Sequence, residues 1–319
     1  MAGFGQTKKA QEALAETLAD AELPAHERAD PFAALQAELD AEQPTLNTHT
    51  FAGIIGHENT CKTAIVTAAY NKYWEDNEEP KQLWLLDFDG GGFANKSAFY
   101  PENTGIKSFE PYVYMTGNRT AIDYDATHNR VMQIMQFAIK NSGNIWGLLI
   151  TGVDQFDAVC VNNMRINDLG LASDAISAAD VRGAGDGQRV QNQWDWAIRK
   201  TRFQQLVSLC RALVKRGTKV FMETHLSLTN YAHGANESNA SWKPAWEKST
   251  NNFLFQIIRM EREDTLDEEG NVLIQRFTAS FEKSKTDAGL QGQKRTVLVT
   301  EVGKAPIFYG LPELNDGTL

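Results

Sequence analysis

The sequence predicts an α/β fold in which a largely parallel sheet is flanked by helices, and two observations indicate it. From Leu46 onward, short apolar runs alternate with stretches of helical periodicity, which is the pattern of βαβ units. In addition, the apolar run Thr50–Ile55 leads into a loop that begins at Gly56 and then into an apolar helical segment. That order of strand, loop and helix is typical of a phosphate-binding loop.

The individual elements follow from the spacing of apolar residues. Apolar runs predict strands at Thr50–Ile55, Gln82–Asp87, Ile145–Thr151, Lys219–Thr224, Phe253–Glu261, Leu273–Lys283 and Thr296–Thr300. Helical periodicity predicts helices at Lys62–Glu75, Ala126–Asn141 and Trp194–Arg216. Two segments rich in Gly, Asn and Ser or Asp, Asn162–Gln191 and Ala232–Lys248, predict long loops.

The first 45 residues differ in composition from the rest, being rich in Ala, Glu, Asp and Leu. Helical spacing is readable at Lys8–Ala21 and from Pro31 to about Ala41, with Asp30 as the N-cap of the second helix. We therefore expect residues 1–45 to form a helical or partly disordered N-terminal extension and residues 46–319 to form the main domain.

Composition restricts the class of protein. The chain has 319 residues and a formal net charge of −10, which argues against a globally basic nucleic-acid coat. Its apolar runs are too short for a membrane span, so no membrane partner is expected. The cysteines Cys61, Cys160 and Cys210 lie far apart in the sequence and predict reduced thiols in the cytoplasm, or in a host cytoplasm if the protein is viral.

The predicted phosphate loop follows the P-loop (Walker A) pattern G-x-x-x-x-G-K-[ST] with one departure. Its residues are Gly56, His57, Glu58, Asn59, Thr60, Cys61, Lys62 and Thr63. Backbone amides at the start of a helix would surround the phosphates of ATP, Lys62 would reach the β- and γ-phosphates, and the Thr63 hydroxyl would ligate Mg²⁺.

Cys61 is the departure, because it stands where the pattern has its second glycine. A side chain at a position with positive φ costs about 1 kcal/mol, and the thiol would crowd the phosphates. The amide N–H remains available. Nucleotide binding is therefore expected to be weakened before it is lost, and the alternative is a loop that only maintains the fold.

Acidic residues follow two of the predicted strands. Asp87 and Asp89 alternate at the end of the second strand, so they point to the same side at the sheet edge where ligands bind. Asp89 is a candidate general base that positions water, with Asp87 in support. At the end of the third strand, Thr151 occupies the usual place of the magnesium-associated acid. Either Thr151 replaces that acid, or Asp154 or Asp157 supplies the charge.

Polar residues later in the chain suggest contacts with the γ-phosphate. The fourth strand ends in Thr224 and His225, either of which could sense that phosphate. Near the C-terminus, Lys283 and Lys285 alternate at a strand end and suit a finger that reaches into a neighbouring subunit's phosphate site. The alternatives are a capped surface histidine and an ordinary solvated turn.

In the order of these parts, the chain resembles the RecA-like P-loop ATPases over roughly Leu46–Thr300. The segments that carry the resemblance are G-H-E-N-T-C-K-T, L-L-D-F-D-G-G, L-L-I-T-G-V-D, V-F-M-E-T-H and the late K-S-K. Within that class it resembles phage-encoded nucleotide-binding proteins related to RecA and RadA, some of which are single-strand annealing proteins.

The resemblance implies the coarse function. It implies ATP and Mg²⁺ as ligands, ATP hydrolysis with Asp89 in the acid's role, lysine fingers acting between subunits, and a homo-oligomeric ring or filament. It also implies loops that bind single-stranded DNA in recombination, annealing or replication, for which Arg165, Arg182 and Arg189 are the candidates. Two alternatives stay open: a nucleotide-binding scaffold or regulator with little turnover, and a DNA-packaging or helicase-type translocase.

Overall fold

The computed structural model describes residues 50–115, 118–170, 193–229 and 241–315. The predicted N-terminal extension, and the candidate residues Arg182 and Arg189, lie outside these described residues, so their predictions stand untested. Among the described helices, none combines the length and apolarity needed to cross a bilayer.

Strands and helices alternate through the first two thirds of the described chain, and an antiparallel segment follows. The strands are β1 (Phe51–Gly56), β2 (Gln82–Asp87), β3 (Ile106–Phe109), β4 (Tyr114–Met115), β5 (Asn118–Ile122), β6 (Ile145–Thr151), β7 (Lys219–Thr229), β8 (Ser241–Pro244), β9 (Gln256–Leu266), β10 (Val272–Ser284), β11 (Lys294–Glu301) and β12 (Ile307–Phe308). The helices are α1 (Lys62–Asp76), α2 (Gly91–Phe99), α3 (Tyr124–Lys140), α4 (Val153–Asn163), α5 (Gln193–Val214) and α6 (Thr250–Phe253).

The main sheet is mixed and has the order β12-β11-β10-β9-β1-β7-β6-β2-β3. The strands from β9 to β3 pair in parallel, whereas β10, β11 and β12 are added in antiparallel fashion. Strand β1 is central, with β7 on one side and β9 on the other. The loop that follows β1 therefore lies at the carboxyl edge of the sheet, where open α/β sheets bind ligands.

Helices cover both faces of the sheet. One face packs against α3, α4 and α5 through residues such as Val131, Phe156 and Phe203. The other face packs against α1 through Ile65 and Tyr70. Because β1, β2 and β6 are enclosed on both sides, their sequences are almost continuous apolar runs, and for this reason their limits can be predicted well. The structure confirms the predicted α/β class, with a largely parallel sheet flanked by helices.

The predicted loop Asn162–Gln191 is wrong at its start. Helix α4 runs to Asn163, and a π-helical turn covers Met164–Asp168. Phe156 and Cys160 bury one side of α4 in the core, but the polar residues around them, Asp154, Gln155 and Asp157, obscure this helical period in the sequence. Residues 171–192 lie outside the described part of the chain.

Some observed strand limits differ from the predicted ones, because pairing with distant strands determines where those strands end. Strand β7 continues past its predicted end at Thr224 because its extension pairs with β8, which lies within the predicted loop Ala232–Lys248. Phe253 is the last residue of α6 rather than the first of a strand. The amphipathic periods of α2 and α4 are short and contain polar residues, so the sequence did not predict either helix.

Candidate functional site

The phosphate loop adopts a strained but compact conformation between β1 and α1. Asn59 and Cys61 have positive φ angles of 56° and 63°, so both are in the left-handed region. Gly56 has no room for a side chain, because an added Cβ would lie 2.6 Å from Thr60 Oγ1 and 2.7 Å from the Met260 carbonyl oxygen. The expectation that a non-glycine residue at position 61 carries backbone strain is therefore confirmed.

Lys62 lies at the centre of this loop. Its side chain is 9% exposed, and its ammonium donates to the carbonyl oxygens of His57 at 2.7 Å and Gly56 at 3.3 Å. Burial lowers the pKa of Lys62, although the neighbouring carboxylates, Glu223 first, oppose that effect. Within the described stretch from Glu58 to Thr63, the backbone amides donate to no protein acceptor. The loop thus combines one cation with amide donors at the start of α1.

The Cys61 thiol is half-buried beside the loop. Burial raises its pKa to about 11, even though Arg262 and Lys62 act in the opposite direction. The thiol is therefore neutral at physiological pH and adds no negative charge to a site for phosphate.

Thr63 contacts a carboxylate that the sequence analysis did not single out. Its hydroxyl donates to Oε2 of Glu223, in β7, at 2.8 Å. Glu223 is 1% exposed, and its Oε1 has no hydrogen-bond partner among the described residues. Burial raises the pKa of Glu223 to about 8, against the opposing effects of Thr63 and Lys62.

Asp87 and Asp89 lie at the end of β2, as predicted, but they have different partners. Asp87 accepts a hydrogen bond from the Thr151 hydroxyl at 2.5 Å and one from the Phe93 amide at 2.7 Å. Asp89 accepts from the amide of Gly91 at 2.9 Å and is among the carboxylates whose charge acts on Lys62. Asp87 therefore fixes the start of α2, and Asp89 is the acid that remains close to the loop.

Asp154 and His225 form a second group at this edge. Asp154, in the first turn of α4, accepts from the Thr224 hydroxyl at 3.3 Å and lies 3.4 Å from Nδ1 of His225. The hydrogen bond to Asp154 raises the pKa of His225 more than burial lowers it. Burial favours the protonated form of Asp154, but the hydrogen bond and charge of His225 outweigh it and lower the pKa of Asp154. The two predicted residues therefore stabilise each other as an ion pair.

Two other candidates, an acid and a DNA-binding arginine, lie in α4 and in the turn that follows it. Asp157 accepts from Nε of Arg199 in α5 at 2.9 Å, so it holds α4 against α5. Arg165 lies in the π-helical turn that follows α4, and its Nε has no hydrogen-bond partner among the described residues. The turn is held against the middle of α5 by the ion pair of Asp168 with Arg202.

Lys283 and Lys285 do not join their own chain's phosphate loop. In β10, Lys283 is opposite Ile257 of β9, which in turn is opposite Gly53 of β1, well before the loop begins at Gly56. The Lys283 ammonium donates to the Asn251 carbonyl oxygen, and that of Lys285 donates to the Asn252 carbonyl oxygen at 2.8 Å. Burial, with the charge of Lys285 in addition, lowers the pKa of Lys283. These cations face away from the carboxyl edge of their own sheet.

A cavity of about 450 Å³ opens beside the loop, lined on one side by His57, Glu58 and Thr60. The opposite side is formed by Glu261, Arg262 and Glu263 of β9. Nearby, the indole of Trp242 in β8 meets the His57 imidazole edge to face, with ring centroids 4.4 Å apart. The loop is therefore flanked by the extensions of both strands that neighbour β1.

Sequence reasoning missed Glu223 and Trp242 for different reasons. Glu223 is a charged residue inside the apolar run of β7, and a buried charge without a visible partner is a signal that could have found it. Trp242 lies in a segment whose Gly, Asn and Ser content indicates a loop, and its neighbour His57 is far away in the sequence. No sequence signal pointed to that contact.

No protein-family model matches the chain, and no curated protein matches it. Among solved structures, a KaiC-like protein from the hyperthermophilic archaeon Pyrococcus horikoshii OT3 is similar over 82% of this chain and 90% of that chain, with 10% identity and a TM-score of 0.42. The assignment of the fold here rests on the strand order and on the loop after β1.

Proposed function

We propose that this chain binds ATP together with Mg²⁺ at the loop Gly56–Thr63 and hydrolyses it. The observation that carries the proposal is the position of Lys62, which is held within a loop of amide donors at the start of α1. Amides at a helix N-terminus and a lysine ammonium are the donors that polyphosphates require. Cys61 adopts the αL conformation at the start of α1 despite its side chain.

The residues at the loop also fit a magnesium ion. Among the described residues, no three acidic, histidine or cysteine side chains form a ready-made metal site. Mg²⁺ usually takes only one or two protein ligands, with waters and substrate phosphates completing its shell. The Thr63 hydroxyl is the ligand that the loop offers, and the partnerless Oε1 of Glu223 lies on the side chain that contacts it. When bound, the ion would neutralise charge that develops on the phosphates.

For hydrolysis, Asp89 and His225 are the side chains that we propose to act. Asp89 would orient a water molecule and accept its proton as the water oxygen bonds to the γ-phosphorus. The bond from that phosphorus to the β,γ-bridging oxygen then breaks, which releases ADP and phosphate. The positive charge that Asp154 stabilises on His225 would attract the γ-phosphate oxygens.

The proposal is tested by replacing Lys62. Lys62→Ala should weaken binding of a non-hydrolysable ATP analogue at least tenfold, about 1.4 kcal/mol, because the ammonium is lost from the loop. Lys72→Ala removes the same charge from an exposed position on the same helix and serves as the matched control. Calorimetric titration of both variants gives the result, and unaltered affinity in Lys62→Ala would remove this loop as the binding site.

We also propose that copies of the chain associate into a ring or filament. Exposed apolar side chains, which favour association, lie at the far end of the antiparallel segment. They are Leu266, Val302, Ile307, Phe308 and Tyr309. The direction of Lys283 and Lys285, away from their own loop, agrees with fingers that act on a neighbour. Size measurement by light scattering, with and without nucleotide, tests association.

For the polymer on which such an assembly would act, we propose single-stranded DNA, as in recombination, annealing or replication by phage-type proteins. Arg165 is the described candidate for a phosphate contact, because it lies in the π-helical turn that Asp168 and Arg202 hold in place. ATP hydrolysis that rises on addition of single-stranded DNA, and rises less in Arg165→Ala, is the expected result. Hydrolysis without such a response would favour the nucleotide-binding scaffold. Unwinding of duplex DNA would favour the translocase.

The free cysteines Cys61, Cys160 and Cys210 support a reducing compartment such as the cytoplasm.

A further inference from the structure

The end of β6 lacks the acid that a magnesium site at the phosphate loop needs, and the strands beside it compensate for this. Leu85, Leu149 and Phe221 all lie in the core on the side of α1. Because side chains alternate along a strand, residues two positions further on point to the same side. Those residues are Asp87 of β2, Thr151 of β6 and Glu223 of β7. They form a row of polar side chains below α1.

The register makes Thr151 the middle member of this row. Asp87 is opposite Thr151, and Ile150 is opposite Met222, so the next position brings Thr151 beside Glu223. The Thr151 hydroxyl donates to Asp87 and carries no negative charge itself. A carboxylate therefore stands on each side of the position where the acid is missing.

Of the acids near the loop, Asp87 and Asp154 already use both of their oxygens. Asp87 accepts from Thr151 and Phe93, and Asp154 bonds with Thr224 and His225. Glu223 differs, since Oε2 accepts from Thr63 and Oε1 is buried with no partner among the described residues. An unpaired buried oxygen is unfavourable unless some ligand satisfies it.

We propose that Glu223 supplies the carboxylate of the magnesium site in place of the missing acid at Thr151. This inference rests on the proposed nucleotide function of the loop. The hydroxyl of Thr63 has one proton and two lone pairs. Burial favours the protonated form of Glu223, and a bound cation would favour its ionised form. Ionised Glu223 would accept the proton of the Thr63 hydroxyl and leave the lone pairs of Thr63 for the metal, while Oε1 would accept from water in the metal's shell. Glu223 is thus a positioning residue for Thr63 and for the hydrated ion.

The test measures metal binding separately from nucleotide binding. Glu223→Gln keeps the shape and removes the charge, and Asp154→Asn makes the same change at the competing acid. Affinity for a non-hydrolysable ATP analogue is measured calorimetrically in EDTA, and binding of Mn²⁺ to the nucleotide complex is measured by electron paramagnetic resonance. The midpoint of thermal unfolding shows that each variant is folded.

We expect Glu223→Gln to weaken Mn²⁺ binding about tenfold or more, while its affinity for the ATP analogue in EDTA stays unchanged. We expect Asp154→Asn to bind Mn²⁺ about as tightly as the unaltered chain. Equal weakening by both variants, weakening by Asp154→Asn alone, or no weakening in Glu223→Gln would overturn the assignment of Glu223. In those cases the nucleotide proposal survives. If the unaltered chain binds no nucleotide in EDTA or with metal, the nucleotide proposal and the Glu223 assignment both fail.

Discussion

The imidazole of His57 in the phosphate loop and the indole of Trp242 in β8 meet at an interplanar angle of 84°, with ring centroids 4.4 Å apart. The contact joins the loop to β8, which pairs with the extension of β7 beyond the carboxyl edge of the main sheet. Trp242 is 47% exposed, so its emission depends on both the loop and the solvent. Any ligand that moves His57 changes the surroundings of this indole.

Nucleotide binding should therefore change the tryptophan fluorescence of the protein in a saturable manner. Trp242→Phe should remove most of that change, because among the described side chains Trp242 is the indole that contacts a residue of the loop, His57. Titration with ATP, followed by emission, measures this. Trp196→Phe, which removes another partly exposed indole, is the control and should retain the change. A full response in Trp242→Phe would exclude the contact as the reporter.

Replacing Cys61 by glycine should stabilise the fold, because a Cβ is unfavourable at the φ of 63° found there. The expected gain is up to about 1 kcal/mol, reduced by the greater freedom of glycine in the unfolded chain. The midpoint of urea unfolding, at unchanged slope, is the measurement. Asn59→Gly changes the other left-handed position and should gain less, since Asn tolerates this conformation. A gain as large in Cys61→Ala as in Cys61→Gly would contradict the explanation by backbone strain.

Loss of both Lys283 and Lys285 should reduce ATP hydrolysis while nucleotide affinity stays the same. Both side chains lie away from their own loop, so they can act only on a neighbouring copy. Replacing both by alanine should slow steady-state hydrolysis about 100-fold or more if they stabilise the transferring phosphoryl group. The matched control replaces Lys294 and Lys304, which form surface ion pairs nearby. An equal rate in the two double variants would rule out a finger role.

His128 should make stability fall as the pH is lowered. It is buried in α3, stacks on Phe156 at 5.9 Å and has an Nε2 without a partner among the described residues. Burial lowers its pKa below the ordinary 6.5. Below pH 6.5, His128 of the unfolded chain binds a proton while His128 of the folded chain stays neutral. The contribution of neutral His128 to the free energy of unfolding is therefore present at neutral pH and is lost as the pH falls toward the folded pKa.

Between the folded and unfolded pKa values of His128, the free energy of unfolding should fall by up to about 1.4 kcal/mol for each unit by which the pH is lowered. Unfolding by urea at a series of pH values from neutral downward measures it. His128→Gln should remove this part of the slope, and His57→Gln, at an exposed position, should retain it. Parallel pH profiles for the unaltered chain and His128→Gln would show that His128 does not contribute.

The central strands of this protein and the loop after β1 were predictable from local residue patterns. The limits of β2 and β6 agree with their predictions because strands buried on both faces are continuous apolar runs, bounded by the polar residues at their ends. The loop before Lys62 was also predictable, because the residues that form it are consecutive in the chain. Local spacing is sufficient where the residues that act together are neighbours in sequence.

Which side chains meet across the sheet depends on strand pairing, which local residue patterns do not specify. Thr63 and Glu223 are 160 positions apart, and their contact depends on β7 pairing beside β1 in one register. A shift of that register by a single residue would turn Glu223 to the other face of the sheet. Strand order and register therefore explain why Thr63 contacts Glu223 and not Asp154. They also explain why Lys283 lies away from the phosphate loop of its own chain.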